Sequence, residues 1–180
     1  MEYVLTKKAL MLDLYAAFLC AKQHKSNKPY VKTFEKNLMK NLESLADDLL
    51  ARRYQPEPSS CFIVERPMKR EVFAAQFRDR VVHHLYYNYT HVLFEHTFIA
   101  DSYSCIPGRG THYGIERLRH HILSESRNYQ RKCYVMSLDV RGYFMHIKRV
   151  FLLDIATKTI EKMRSHRVCV DTKQTWGEYL

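Results

Sequence analysis

Hydrophobic positions along the chain form helical repeats near the N-terminus, in the middle and towards the C-terminus, with short strand-like runs between them. Within residues 3 to 24, Val4, Leu5, Leu10, Met11, Leu14, Phe18 and Leu19 follow in steps that keep them on one side of a helix. A polar break from Lys25 to Pro29 precedes a second periodic stretch, Phe34, Leu38, Leu42, Leu45 and Leu49. The two stretches predict a packed antiparallel helix pair. Pro56 and Pro58 then stop the helix, and the runs Cys61–Val64 and Glu71–Ala75, separated by a charged turn with Pro67, predict a β-hairpin.

Helical spacing returns from Phe77 to about Phe94, with Val81, Val82, Leu85, Tyr89, Val92 and Leu93 on the side expected to be buried. A loop through Asp101 and Pro107-Gly108-Arg109-Gly110 leads to a helix expected over Thr111 to Arg127, with Thr111 as a candidate cap. Cys133 to Leu138 is an apolar run ending in Asp139, the profile of a buried strand that delivers a carboxylate at its C-terminal end. A helix is expected over Val150 to Met163. The tail from Ser165 through Trp176 has no period and reads as loop or edge strand.

Composition sharpens this picture. With 180 residues, 46% hydrophobic and 13% aromatic, the chain can bury a core as one domain or two small lobes, which excludes a disordered or collagen-like protein. No apolar run reaches the roughly 18 residues of a membrane span, and no signal-peptide pattern opens the chain, so a cytoplasmic protein with no membrane partner is the expectation. Five cysteines without a C-x-x-C pair fit neither a disulfide framework nor a zinc knuckle. His83, His84, His91, His96, His120 and His121 cluster, but without a metal-ligand motif they read as surface or core histidines.

The formal charge is +10, and it is clustered. Arg66, Lys69, Arg70, Arg78 and Arg80 gather around the hairpin, and Arg109, Arg117, Arg119, Arg127, Arg131 and Lys132 follow it, among tyrosines and histidines. Neutralising phosphates and stacking on bases requires this mixture, so nucleic acid is the expected partner, with a solvated helix face as the plain alternative. Asp139 has two readings that its spacing leaves open: it caps the following turn, or it holds a divalent cation over a phosphate.

Three blocks carry a family resemblance. Ser137-Leu138-Asp139-Val140-Arg141-Gly142-Tyr143-Phe144-Met145-His146-Ile147 resembles the first catalytic motif of reverse transcriptases. Upstream, Lys69 to Ala75 with Phe77 to His84 is similar to the fingers motif of bacterial members, and Phe98 to His112 resembles the motif that follows it. The blocks occur in the family's order, and the match leans to the group-II-intron-like lineage that includes diversity-generating retroelement enzymes.

The resemblance implies an α/β (α+β) fold with a helical N-terminal region over residues 1–58, fingers over 59–132, and the start of a palm over 133–180. It makes Asp139 the catalytic carboxylate and a Mg²⁺ ligand, with the Val140 carbonyl beside it. Lys69 and Arg70 would reach the incoming deoxynucleotide, the backbone of Arg141, Gly142 and Tyr143 would hold its phosphates, and Phe144 would gate its sugar. Arg78, Arg80, Arg109, Arg117 and Arg119 are the candidate contacts to an RNA template and a DNA or RNA primer.

The family's further carboxylates, normally a Tyr-x-Asp-Asp turn, do not follow before Leu180. Asp47-Asp48 lies in the second helical stretch and reads as a solvated face. The expectation is therefore an inactive N-terminal fragment of an RNA-directed DNA polymerase, self-associating through its unfinished palm. A non-catalytic RNA-binding or protein-interaction module on polymerase-like fingers is the alternative. A small metal-dependent nuclease is a third reading, short of carboxylates.

Overall fold

The first helix starts where Thr6 adopts extended backbone and its hydroxyl accepts the Ala9 amide, satisfying one of the free N–H groups of the first turn. A computed structural model describes residues 6–66, 69–140 and 142–165 of the chain. Val4, Leu5, Pro67, Arg141 and the tail beyond Ser165 lie outside the described residues, as does the Phe144 side chain. The protein is mixed α and β, with helices and one two-stranded antiparallel sheet among the described residues. None of these helices is long and apolar enough to cross a membrane. The chain divides into two compact units, one up to Thr90 and one from His91 onward.

In the first unit, α1 (Lys7–Lys22) buries Leu10, Leu14, Ala17, Phe18 and Ala21, as its spacing predicts, while Leu19 remains exposed. The second periodic stretch is broken into α2 (Pro29–Lys36) and α3 (Leu38–Leu50) at Asn37, whose φ of −124° and ψ of 37° leave the helical region. Asparagine favours such departures because its amide competes with the backbone. The break is patched by Asn41, which donates to the Phe34 carbonyl at 2.8 Å.

Val31, Leu42, Leu45 and Ala46 turn inward from α2 and α3. Lys7 at the start of α1 pairs with Glu43 and Asp47, and Lys22 at its end pairs with Glu35. Those pairs run in opposite chain order, so α1 is antiparallel to the α2–α3 stretch. Phe77 closes the core, its ring edge-on to both Phe18 and Phe34. Truncating a fully buried leucine such as Leu14 or Leu45 costs about 2–5 kcal/mol.

The predicted hairpin is present. β1 (Ser60–Val64) and β2 (Arg70–Ala74) pair antiparallel from Ser60 opposite Ala74 to Val64 opposite Arg70. Helix α4 (Phe77–Glu95) buries Phe77, Val81, Val82 and Leu85, while Tyr89, expected inside, is exposed and its hydroxyl pairs with Asp13.

In the second unit, α5 (Thr111–Glu125) begins after Gly110, which is the cap residue and has no side chain to offer. Thr111 is therefore the first helical residue and not the cap. A short α6 (Tyr143–His146) and α7 (Arg149–Ser165) follow.

The buried strand expected before Asp139 is not formed. Cys133 to Leu138 forms neither strand nor buried layer: the segment is irregular, and Tyr134, Val135, Met136 and Leu138 are all exposed. A strand exists only through ladder hydrogen bonds to a neighbour, and the β1–β2 hairpin is the sheet found among the described residues. The apolar run has the composition of a strand and has, among the described residues, no partner that would make it one.

Candidate functional site

Hairpin register decides what Lys69 and Arg70 can do. Arg70 opens β2 opposite Val64, at the turn end of the ladder, and Lys69 precedes it in the turn. Both are exposed, and neither has an ion pair or side-chain hydrogen bond among the described residues. They are positive charges available to a ligand. A two-stranded hairpin is marginal alone in water, and this one leaves Phe62, Ile63 and Phe73 about half exposed.

The arginines expected to meet nucleic acid are used differently. Arg78 donates to Asp48 at 2.7 Å and to the Gln55 carbonyl at 3.3 Å, with its guanidinium stacked on Tyr54. Asp48, expected on a solvated face, is thus half of an ion pair, and Asp47 is held by Lys7. Arg80 donates to the Ala75 carbonyl at 2.8 Å and lies over the Tyr30 ring. Arg109 donates to the carbonyls of Ala100 and Ser102 and lies over Tyr113, closing its own loop. Of the five, Arg119 is the most open, with only a 3.7 Å approach to Glu116 one turn away.

Arg117 belongs to a node that charge counting passes over. Its Nε donates to Asp101 Oδ1 at 2.5 Å, and His121 Nε2 lies 2.9 Å from Asp101 Oδ2. Arg117 and His121 are four residues apart on α5 and share a face, and that spacing was the available signal. The Arg117 hydrogen bond, then that of His121, hold the Asp101 carboxyl well below the usual range, at about 2. Beside this node Gly114 is buried against the Tyr103 ring, where an added Cβ would come within 2.7 Å of a ring carbon.

A second unforeseen node is Asp79, 1% exposed in the first turn of α4. It accepts the Tyr54 hydroxyl at 2.5 Å and the Glu57 amide at 2.9 Å, tying the linker after α3 to α4. Burial, reinforced by the bond to Asp79, raises the Tyr54 phenol above its ordinary value.

Asp139 and Val140 are exposed on the irregular segment, and the Asp139 carboxylate has no side-chain partner among the described residues. Gly142, at φ +63°, turns the chain into α6; a Cβ there would meet the His146 ring at 3.0 Å. Tyr143 is exposed. Among the described residues no group of three or more His, Cys, Asp or Glu side chains comes together around Asp139 or elsewhere. A magnesium ion takes near-octahedral oxygen coordination with one or two carboxylates as anchors, and Asp139 is a carboxylate that could serve as one such anchor.

Set against models of protein families and against curated proteins, the chain matches none.

Proposed function

We propose that the chain is the fingers and the opening of the palm of a bacterial RNA-directed DNA polymerase. The observation that carries this reading is the order of the three motif blocks between Lys69 and Ile147. Two structural features support it. The first block falls on a hairpin whose turn end leaves Lys69 and Arg70 exposed and without an ion pair among the described residues, as a triphosphate contact requires. The apolar run before Asp139 is exposed and has no ladder partner among the described residues, so it offers the apolar surface that a sheet neighbour would cover.

In that reaction a primer 3′-hydroxyl attacks the α-phosphate of a deoxynucleotide and pyrophosphate leaves. Lys69 and Arg70 would neutralise charge building on the leaving group. A ring at Phe144 beneath the sugar would exclude a 2′-hydroxyl. Asp139 would contribute one metal-binding carboxylate, and no metal-dependent step is assigned to these residues.

Primer extension on an RNA template with Mg²⁺ and deoxynucleotides tests the reading. The comparison is between this chain, the chain continued through its downstream reading frame, and that longer chain carrying Asp139→Ala. Extension by the longer wild-type chain, abolished by Asp139→Ala, is the expected result. RNA binding without extension, or extension indifferent to Asp139→Ala, would instead favour a non-catalytic RNA-binding module.

A further inference from the structure

With Arg78, Arg80, Arg109 and Arg117 engaged with partners in the protein, exposed cationic surface beyond Lys69, Arg70 and Arg119 is found at α2. Lys28, Lys32, Lys36 and Lys40 recur every four residues, from the cap of α2 through the break into α3. Positions four apart stand above one another on a helix, so Lys28, Lys32 and Lys36 form a line along α2, and Lys40 follows in the first turn of α3 after the break at Asn37. All are exposed, and none has an ion pair among the described residues. The single acidic residue of α2, Glu35, is taken by Lys22 of α1. Like charges one helical turn apart, as in Lys28, Lys32 and Lys36, repel one another, a cost that an anionic ligand removes.

The neighbouring positions say which anion. Thr33, Asn37 and Asn41, each one residue past a lysine of the series, line a cleft of about 440 Å³ whose other walls include Tyr30, Gln76 and the acidic Glu57. Hydroxyls and amides offer donors and acceptors together, the pairing that reads base edges. A membrane-lying helix would instead need an apolar face beside its lysines, and the apolar residues of α2, Val31 and Phe34, turn into the core.

We infer that Lys28, Lys32 and Lys36 on α2, with Lys40 in the first turn of α3, bind the phosphodiester backbone of single-stranded nucleic acid, with a base directed to the cleft lined by Thr33, Asn37 and Asn41. The inference rests on the nucleic-acid part of the proposed function and not on its polymerase chemistry.

The test measures binding of the full chain to a fluorescein-labelled oligouridylate by anisotropy across a salt series. One variant carries Lys28→Gln, Lys32→Gln, Lys36→Gln and Lys40→Gln; another has arginine at the same positions. A control carries Lys8→Gln, Lys148→Gln, Lys158→Gln and Lys162→Gln. Circular dichroism confirms that each is folded. The glutamine variant should lose at least tenfold in affinity, and its slope of log K against log salt should flatten by roughly 3, at about 0.7 per phosphate contact on a single strand. The arginine variant should keep both and the control should lose little.

Equal losses in the glutamine variant and the control would overturn the inference, since diffuse charge would then suffice. Binding of phosphatidylserine vesicles but not of the oligonucleotide would overturn it in favour of a membrane. Binding of free uridine monophosphate as tightly as the oligonucleotide would remove the backbone contact and overturn it too. A chain that binds no RNA would sink this inference together with the nucleic-acid part of the proposed function. RNA binding through these lysines without primer extension would uphold the inference and count against the polymerase alone.

Discussion

Replacing Asp79 tests whether the linker clasp organises the first unit. The carboxylate is buried, with the Tyr54 hydroxyl on Oδ1, the Glu57 amide on Oδ2, and Arg78 Nη1 at 3.7 Å. Asp79→Ala leaves the hydroxyl and the amide without an acceptor, while Arg78 keeps Asp48 at 2.7 Å. A buried donor left unpaired costs about 1–3 kcal/mol. Tyr54 is half-buried and must bear most of that, whereas Glu57 is exposed and water can replace part of its loss. The expected destabilisation is therefore about 2–4 kcal/mol, a large share of the roughly 5–15 kcal/mol that holds a domain together.

Tyr54→Phe keeps the ring under Arg78 and removes only the hydroxyl, so it should cost less, about 1.5–3 kcal/mol for a hydrogen bond to a charged group. Urea unfolding of the full chain, followed by circular dichroism, reads both. With a urea dependence of about 1–3 kcal/mol per molar, Asp79→Ala should lower the midpoint by on the order of 1–2 M. The double variant should cost less than the two single losses added, because both remove the same bond.

The raised Tyr54 phenol supplies a second readout. A group whose folded pKa is raised contributes stability that is complete below its unfolded value near 10 and is lost as pH rises towards the folded one. Wild-type stability should thus fall with pH above about 10, and Tyr54→Phe should lessen the fall. An Asp79→Ala midpoint indistinguishable from wild type, or strictly additive losses, would refute the clasp.

Two further outcomes are expected in the second unit. Gly114→Ala pushes a methyl group against the Tyr103 ring and should cost about 1–3 kcal/mol as overpacking; Tyr103→Leu in the same chain should recover part of the loss, and thermal melts read both. Asp101 should titrate near 2 in a carbon-detected NMR series and move up towards the ordinary carboxylate range in Arg117→Gln. Because its folded pKa is depressed, the stabilisation it provides is present above about 3.9 and lost as pH falls towards 2; an unmoved Asp101 in Arg117→Gln would show that the guanidinium is not the cause.

What could be read from the sequence follows from how local each feature is. The inward face of α1, the register-defined hairpin and the start of α4 were legible because period and turn residues are properties of short windows. The break at Asn37 was not, since Phe34, Leu38, Leu42 and Leu45 keep helical spacing across it and the patch comes from the Asn41 side chain. The expected strand at Cys133–Leu138 failed for a different reason: apolar composition is local, whereas the partner that turns composition into a ladder is not.

Charge behaves in the same way. Arg78, Arg80, Arg109 and Arg117 looked available because net charge counts residues and ignores where each guanidinium ends. Their partners stand between 5 and 50 residues away in the chain, at Asp48, Ala75, Tyr30, Ala100, Ser102 and Asp101. Arginine, with five donors in a planar fork, is suited to such internal ties to carbonyls and rings. Lysine, a compact charge on a flexible stem, more readily stays in solvent, and Lys28, Lys32, Lys36 and Lys40 do so. The surface a polyanion can meet is thus the basic composition less the charge already held by internal partners, and that subtraction leaves Lys69, Arg70 and Arg119 of the clusters and brings forward the exposed lysines of α2 and the start of α3.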